Sequence, residues 1–176
     1  MKKHDSTPYR KDINRHESMR GYFAFELYQQ MLVNDKIWCL TGDLGFGVLD
    51  HIRDDFPARF LNCGAAEVAM MDIAVGLSLS GKIPFVYSIT PFLIYRAFEV
   101  LRTYINHEKI NVKLIGSGRD KDYEHDGISH WSEDCKKILK TLPNIQQYYP
   151  IVKEDIPYLL DQTIKDKNPI FISLRR

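Results

Sequence analysis

With 176 residues, the chain is long enough to bury the core of one domain without disulfides or a metal to staple it. Its 24 Lys plus Arg against 23 Asp plus Glu exclude the basic excess of a nucleic-acid binder and the polybasic face of an anionic-membrane binder. Three cysteines, Cys39, Cys63 and Cys135, have neither CxxC nor zinc spacing, which points to a reduced, cytoplasmic setting.

The opening MKKHDSTPYRKDINRHES is polar, so residues 1–18 read as a flexible lead-in without the apolar run of a signal peptide. No later stretch reaches membrane-spanning length, and no membrane partner is expected. From Met19, MRGYFAFELYQQMLVND carries apolar residues at helical spacing. Short β-rich runs then follow at 37–41, 59–63, 83–89, 112–118, 144–149 and 169–175. Helical candidates lie between them at 65–80, 93–107, 132–141 and 154–166, the third capped by Ser132 with Glu133 and Asp134 in its first turn. Such alternation predicts an α/β fold, doubly wound, with a mainly parallel six-stranded sheet and helices on both faces. Residues 19–176 form one domain on this reading. The run AAEVAMMDIAVGLSLSG is apolar nearly all round and stops at Gly81, as suits a helix buried between the sheet and a neighbouring surface. Cys39 and Cys63 fall in strand-like runs, where cysteine usually acts as a small buried hydrophobe.

In an open parallel sheet, ligands bind beyond the carboxyl ends of the strands, so the informative residues follow each strand. TGDLGFG follows the first, and its Gly42, Gly45 and Gly47 serve either a plain turn or close approach to a ligand. Glu67 follows the second, in the first turn of the apolar helix among Ala65, Ala66, Ala69 and Met70. Such a carboxylate either serves the helix dipole or, buried among small apolar neighbours, shares a proton with a ligand nitrogen. After the third strand, Phe92, Tyr95, Arg96 and Glu99 recur at helical spacing, as core or as a face for a flat heterocycle. The long polar loop after the fourth carries His125 and His130.

Taken in order, GDLGFGVLD, RFLNCGAAEVAM, SGKIPFVYSI, FLIYRAFEVLR, DGISH, LPN and PIFISLRR resemble the pyrimidine-binding domain of transketolase and deoxyxylulose-phosphate synthase. The resemblance covers nearly the whole chain. It implies thiamine diphosphate as cofactor, with Gly64, Glu67 and Met70 matching the family's glutamate segment. Glu67 would then contact pyrimidine N1′ and favour removal of the thiazolium C2 proton by the cofactor's own amino nitrogen. Phe92 would pack on the aminopyrimidine, with Tyr95, Asp43 and Leu44 also on the cofactor. Arg96 would meet a substrate phosphate or carboxylate, and His130 and Asp126 of the DGISH turn would face substrate oxygens, His130 also acting in catalysis. Val68, Ser129 and Pro91 depart from the family pattern.

The family's GDG and downstream Asn, which hold magnesium and diphosphate, find no match, and the chain ends at SLRR where a transketolase would continue. The expectation is a split enzyme: magnesium and diphosphate on a separate diphosphate-binding subunit, an α2β2 heterotetramer, and two-carbon ketol transfer between sugars or sugar phosphates. Two alternatives stand beside it, a subunit of a 2-oxo acid decarboxylase or dehydrogenase and a non-catalytic oligomerisation subunit. A doubly wound nucleotide-binding protein is disfavoured because its glycine fingerprint is missing.

Overall fold

The computed structural model describes residues 15–176, so the expected lead-in lies outside the described residues as far as residue 14. Helix α1 (Met19–Val33) starts where the Ser18 hydroxyl accepts a hydrogen bond from the Gly21 backbone N–H at 3.1 Å. There follow β1 (Ile37–Thr41), α2 (Asp50–Asp55), β2 (Phe60–Asn62), α3 (Glu67–Leu79) and β3 (Ile83–Ile89). A helical segment, α4, is assembled from a π-helical turn at Phe92–Arg96, a short α-helix at Phe98–Val100 and a second π-helical stretch at Leu101–His107. The chain closes with β4 (Lys113–Ser117), α5 (Cys135–Leu139), β5 (Gln146–Tyr148), α6 (Ile156–Lys165) and β6 (Ile170–Leu174).

All five strand pairings are parallel and give the order β2-β1-β3-β4-β6-β5. The expected doubly wound α/β fold is thus the observed one. Successive strand residues alternate between two cores. Cys39, Phe85, Tyr87, Ile115 and Ile172 pack with α1, α2 and α6. Leu40, Val86, Leu114 and Phe171 pack with α3, α4 and α5. A strand apolar on both sides reads as a continuous hydrophobic run, which is why β1, β3, β4 and β6 were recognisable. No helix among the described residues is long and apolar enough to cross a membrane.

Two local expectations need correction. Helix α2 was not foreseen, because its sequence DHIRDD buries only Ile52 and offers no apolar periodicity. Ser132 does not cap α5: the helix begins three residues later, with Asp134 at the cap. The Ser132 hydroxyl instead donates to the Gly118 and Asp120 carbonyls at 3.3 and 3.2 Å, closing the preceding loop on itself. The stop expected at Gly81 is the observed one: α3 ends at Leu79, and Gly81 at φ 79° follows the Ser80 cap, its N–H bonding the Ser78 carbonyl at 2.9 Å and that of Lys82 the Leu77 carbonyl at 3.0 Å.

Candidate functional site

β1 and β3 are neighbours in the sheet, and the chain leaves β1 on one side for β2 and β3 on the other side for β4. Beyond the carboxyl ends of β1 and β3, the diverging connections open the crevice in which doubly wound sheets bind ligands. Four chain segments meet there. The turn after β1 is drawn shut by the Thr41 hydroxyl, which donates to the Leu44 carbonyl at 3.0 Å. Asn62, at the end of β2, stitches this turn to the next: its Oδ1 accepts from the Asp43 and Gly64 N–H groups at 2.9 and 3.0 Å, and its amide donates to Asp43 Oδ1 at 3.1 Å. Asp43 sits at φ 59°, a left-handed conformation that Asp tolerates better than most residues.

This stitching sets Gly42 beneath the first turn of α3. A Cβ on Gly42 would stand 3.3 Å from the Gly64 carbonyl oxygen and 3.4 Å from Glu67 Oε1, so glycine lets the turn sit close against the carboxylate without crowding. The Glu67 side chain is 1% exposed. Its carboxylate points across to α4 and β3: Arg96 Nη1 donates to both oxygens, at 2.9 and 2.8 Å, and the Ser88 hydroxyl makes a long 3.4 Å bond to Oε1. A buried carboxylate needs such partners, since desolvation without them costs several kcal/mol by order of magnitude (about 3 or more).

Arg96 also lies over Phe92, with its guanidinium carbon 3.7 Å from the ring centroid. These two residues are four apart on the π-helical turn that opens α4, and π turns recur at functional positions. Phe92 in turn meets the His130 ring edge-on, at 4.8 Å between centroids, and the His130 Nδ1 is 2.9 Å from the Ser129 hydroxyl. Glu67, Arg96, Phe92 and His130 thus form one contact chain drawn from α3, α4 and the DGISH turn.

The remaining candidates lie around this chain. Asp43 and Leu44 border the crevice on the β1 turn. Tyr95 was expected beside Phe92 and Arg96; its phenol engages Asp134 and Cys135, and burial together with the Asp134 hydrogen bond holds its pKa above the usual tyrosine range. Asp126 is exposed and pairs with His125 at 3.3 Å. Arg96 was expected to face substrate, and here its guanidinium is committed to Glu67. Ser88 and Asn62 were not foreseen. The signal for Ser88 was a hydroxyl inside the otherwise apolar strand IPFVYSI, where it is fully buried. The cysteines are free thiols, Cys39 pushed up to about 12 and Cys135 to about 11, both chiefly by burial.

An open parallel sheet with a buried glutamate at its switch point and an aromatic face beside it defines a class of α/β ligand-binding domain. The chain belongs to the family described as "Transketolase, pyrimidine binding domain", whose model matches residues 16–176. It is 27% identical over 159 residues to the 6-deoxy-6-sulfo-D-fructose transketolase subunit SqwH of Clostridium sp. (strain MSTE9), an alignment covering 90% of this chain and 49% of that protein. It is 32% identical over 120 residues to a subunit of the apulose-4-phosphate transketolase of Actinobacillus succinogenes, covering 68% of this chain and 39% of that protein. Among solved structures, a split-gene transketolase in the form of an inactive β4 tetramer superposes with a TM-score of 0.79 at 31% identity, covering 90% of this chain and 51% of that one. Transketolase from Campylobacter jejuni superposes with a TM-score of 0.80 at 16% identity, a likeness of fold. The chain therefore spans about half or less of the length of these curated relatives.

Proposed function

We propose that this chain is the pyrimidine-binding subunit of a split, thiamine-diphosphate-dependent transketolase-like enzyme that moves a two-carbon ketol unit between sugars or sugar phosphates. The observation that carries the proposal is the Glu67 carboxylate, buried at the switch point of the sheet and joined to the face of Phe92 through the Arg96 guanidinium. Gly42 adds to the fit, because a side chain there would crowd the carboxylate and the Gly64 carbonyl beside it.

When bound, thiamine diphosphate supplies the carbanion chemistry. The protein's part is protonic and positional. Glu67 would hold a proton at pyrimidine N1′, Phe92 would fix the ring plane, and Asp43, Leu44 and Tyr95 would bound its position. His130 would act on substrate oxygens near the reacting carbon, with Asp126 and Arg96 contacting the sugar or its phosphate. Magnesium and diphosphate would rest mainly on a separate partner subunit in an α2β2 assembly acting in the cytoplasm. Support for the partner comes from the two relatives that are themselves named as subunits and from the split-gene neighbour.

Calorimetric titration of thiamine diphosphate with magnesium tests this, using the chain alone and mixed with its diphosphate-binding partner. Binding is expected in the mixture only, with ketol transfer reduced at least about 100-fold by Glu67→Gln, as for loss of a proton-transfer group. Full activity of Glu67→Gln in the assembly would refute the role given to this residue.

A further inference from the structure

The recognition surface assigned to a flat heterocycle is already covered from within the chain. We infer that Arg96 is an internal stand-in for that heterocycle: its guanidinium holds the Glu67–Phe92 site in the absence of ligand and leaves Glu67 when an aminopyrimidine enters. The inference rests on the proposed function for the identity of the ligand, and on geometry for the rest.

A guanidinium is planar and cationic and presents N–H donors along its edge. Those are the properties a buried carboxylate beside an aromatic face selects. Arg96 uses both elements together, with Nη1 on the two Glu67 oxygens at 2.9 and 2.8 Å and Cζ 3.7 Å above the Phe92 ring. At 3.7 Å the two groups are in van der Waals contact, so no second flat layer fits between them. A ring that takes both the carboxylate and this face must therefore displace the guanidinium.

The exposures of the two partners differ in the way such an exchange requires. The Glu67 side chain is 1% exposed and the Arg96 side chain 44%. The anion is fixed in the fold while the cation reaches it from the mouth, and its long stem gives it a path back to water. Without a cation the empty site would hold an unpaired buried carboxylate, so a stand-in keeps the unliganded chain folded. A ligand that brings its own N–H donors makes Arg96 dispensable at Glu67. The released guanidinium is then free at the mouth of the site, where a sugar phosphate would arrive.

Two probes separate this from a purely structural clamp: methylguanidinium and 4-amino-2-methylpyrimidine, titrated into the full chain as wild type, Arg96→Ala and Arg96→Gln, without partner or diphosphate. Wild type should bind both weakly, since each probe must first displace the Arg96 guanidinium. The variants should bind both at least about tenfold more tightly than wild type, methylguanidinium should recover the melting temperature lost by Arg96→Ala, and Glu67→Gln added to either variant should abolish these effects. In the assembly, Arg96→Gln should bind thiamine diphosphate on the order of tenfold more tightly while the KM for a phosphorylated sugar rises. A structural clamp would give no such opposed pair of changes.

Failure of both variants to take up either probe, loss of folding that methylguanidinium does not rescue, or weaker cofactor binding by Arg96→Gln would each overturn the inference. Probe uptake by the variants, together with no thiamine diphosphate binding by any wild-type mixture, would leave the stand-in established and the thiamine reading refuted.

Discussion

Lys113 opens β4 with its side chain wholly inside the protein, donating to the carbonyls of Asp166 and Asn168, both at 2.8 Å. Burial pushes its pKa down to about 8 from the ordinary value of 10.5, with the Asp166 carboxylate pulling the other way. Between those two values the unfolded chain retains a proton that the folded chain has released, so stability rises with pH across that window. Below about pH 8 both states are protonated and the burial penalty stands in full, about 3 kcal/mol as an order of magnitude. Relative to Lys113→Met, the wild type should gain up to about that much unfolding free energy between pH 7.5 and 10 in denaturant titrations. A wild-type-to-variant difference that is flat over this range would contradict the buried-cation account. Glu67 is the contrasting case, a buried ion answered by a side-chain cation and not by carbonyls. Glu67 was legible in the sequence because a carboxylate among alanines is conspicuous. Lys113 was not, because the run VKLIGSG reads as a strand whichever way its lysine points.

At the scale of elements, the segment joining β4 to α5 carries His130, and contacts distant in sequence hold it. The Tyr123 hydroxyl lies 2.9 Å from the Ser117 hydroxyl and accepts from Arg20 Nη1 at 3.2 Å, while its ring stands 6.3 Å from that of His130. Gly118, at φ 83°, allows this, since a Cβ there would overlap the Tyr123 ring. Asp122 accepts from the backbone N–H groups of Arg119 and Arg176 at 2.9 and 3.1 Å, and Arg175 bridges Asp120 and Asp122 at 3.3 Å each. Tyr123→Phe keeps the ring and removes the hydroxyl, which should lower stability by about 1–2 kcal/mol. In the assembly it should raise the KM for the sugar several-fold and leave thiamine diphosphate affinity unchanged. A matching loss of cofactor affinity would mean that the loop supports the whole crevice and not His130 alone. The strands bounding this loop were readable from their apolar runs, and DGISH from its resemblance. Its anchors were not, because Arg20 and Arg176 lie 103 and 51 residues or more from the groups they meet. Ser132 does not cap α5 for a local reason: its hydroxyl serves the loop's own carbonyls at Gly118 and Asp120.

For the whole molecule, the sheet separates two cores, and on the α3 and α4 side the helices that build the crevice also turn apolar residues outward. Val68, Ile73, Leu79 and Tyr104 are 48, 41, 72 and 49% exposed, and a groove of about 970 Å³ lined by Val68, Asp72, Phe98 and Tyr104 runs along this side. The all-round apolar character of the α3 sequence is thereby explained: one side meets Leu40 and Val86 of the sheet, and the other is left for something else to cover. Glu67 lies in the first turn of α3, and Phe92 and Arg96 in the first turn of α4. A partner seated along the outward sides of these helices would therefore have its edge at the mouth of the site. With 24 basic against 23 acidic residues, attraction by net charge contributes little, and burial of the apolar residues must supply the affinity. The double variant Val68→Asp with Ile73→Lys should melt close to wild type as an isolated chain, within about 0.5 kcal/mol per site, because both positions are half in water already. Its association with the diphosphate-binding partner, followed by sedimentation velocity, should weaken at least about 30-fold, as when a central apolar contact is lost. Undiminished association would move the partner to another face and leave the outward side of α3 without a role in the assembly.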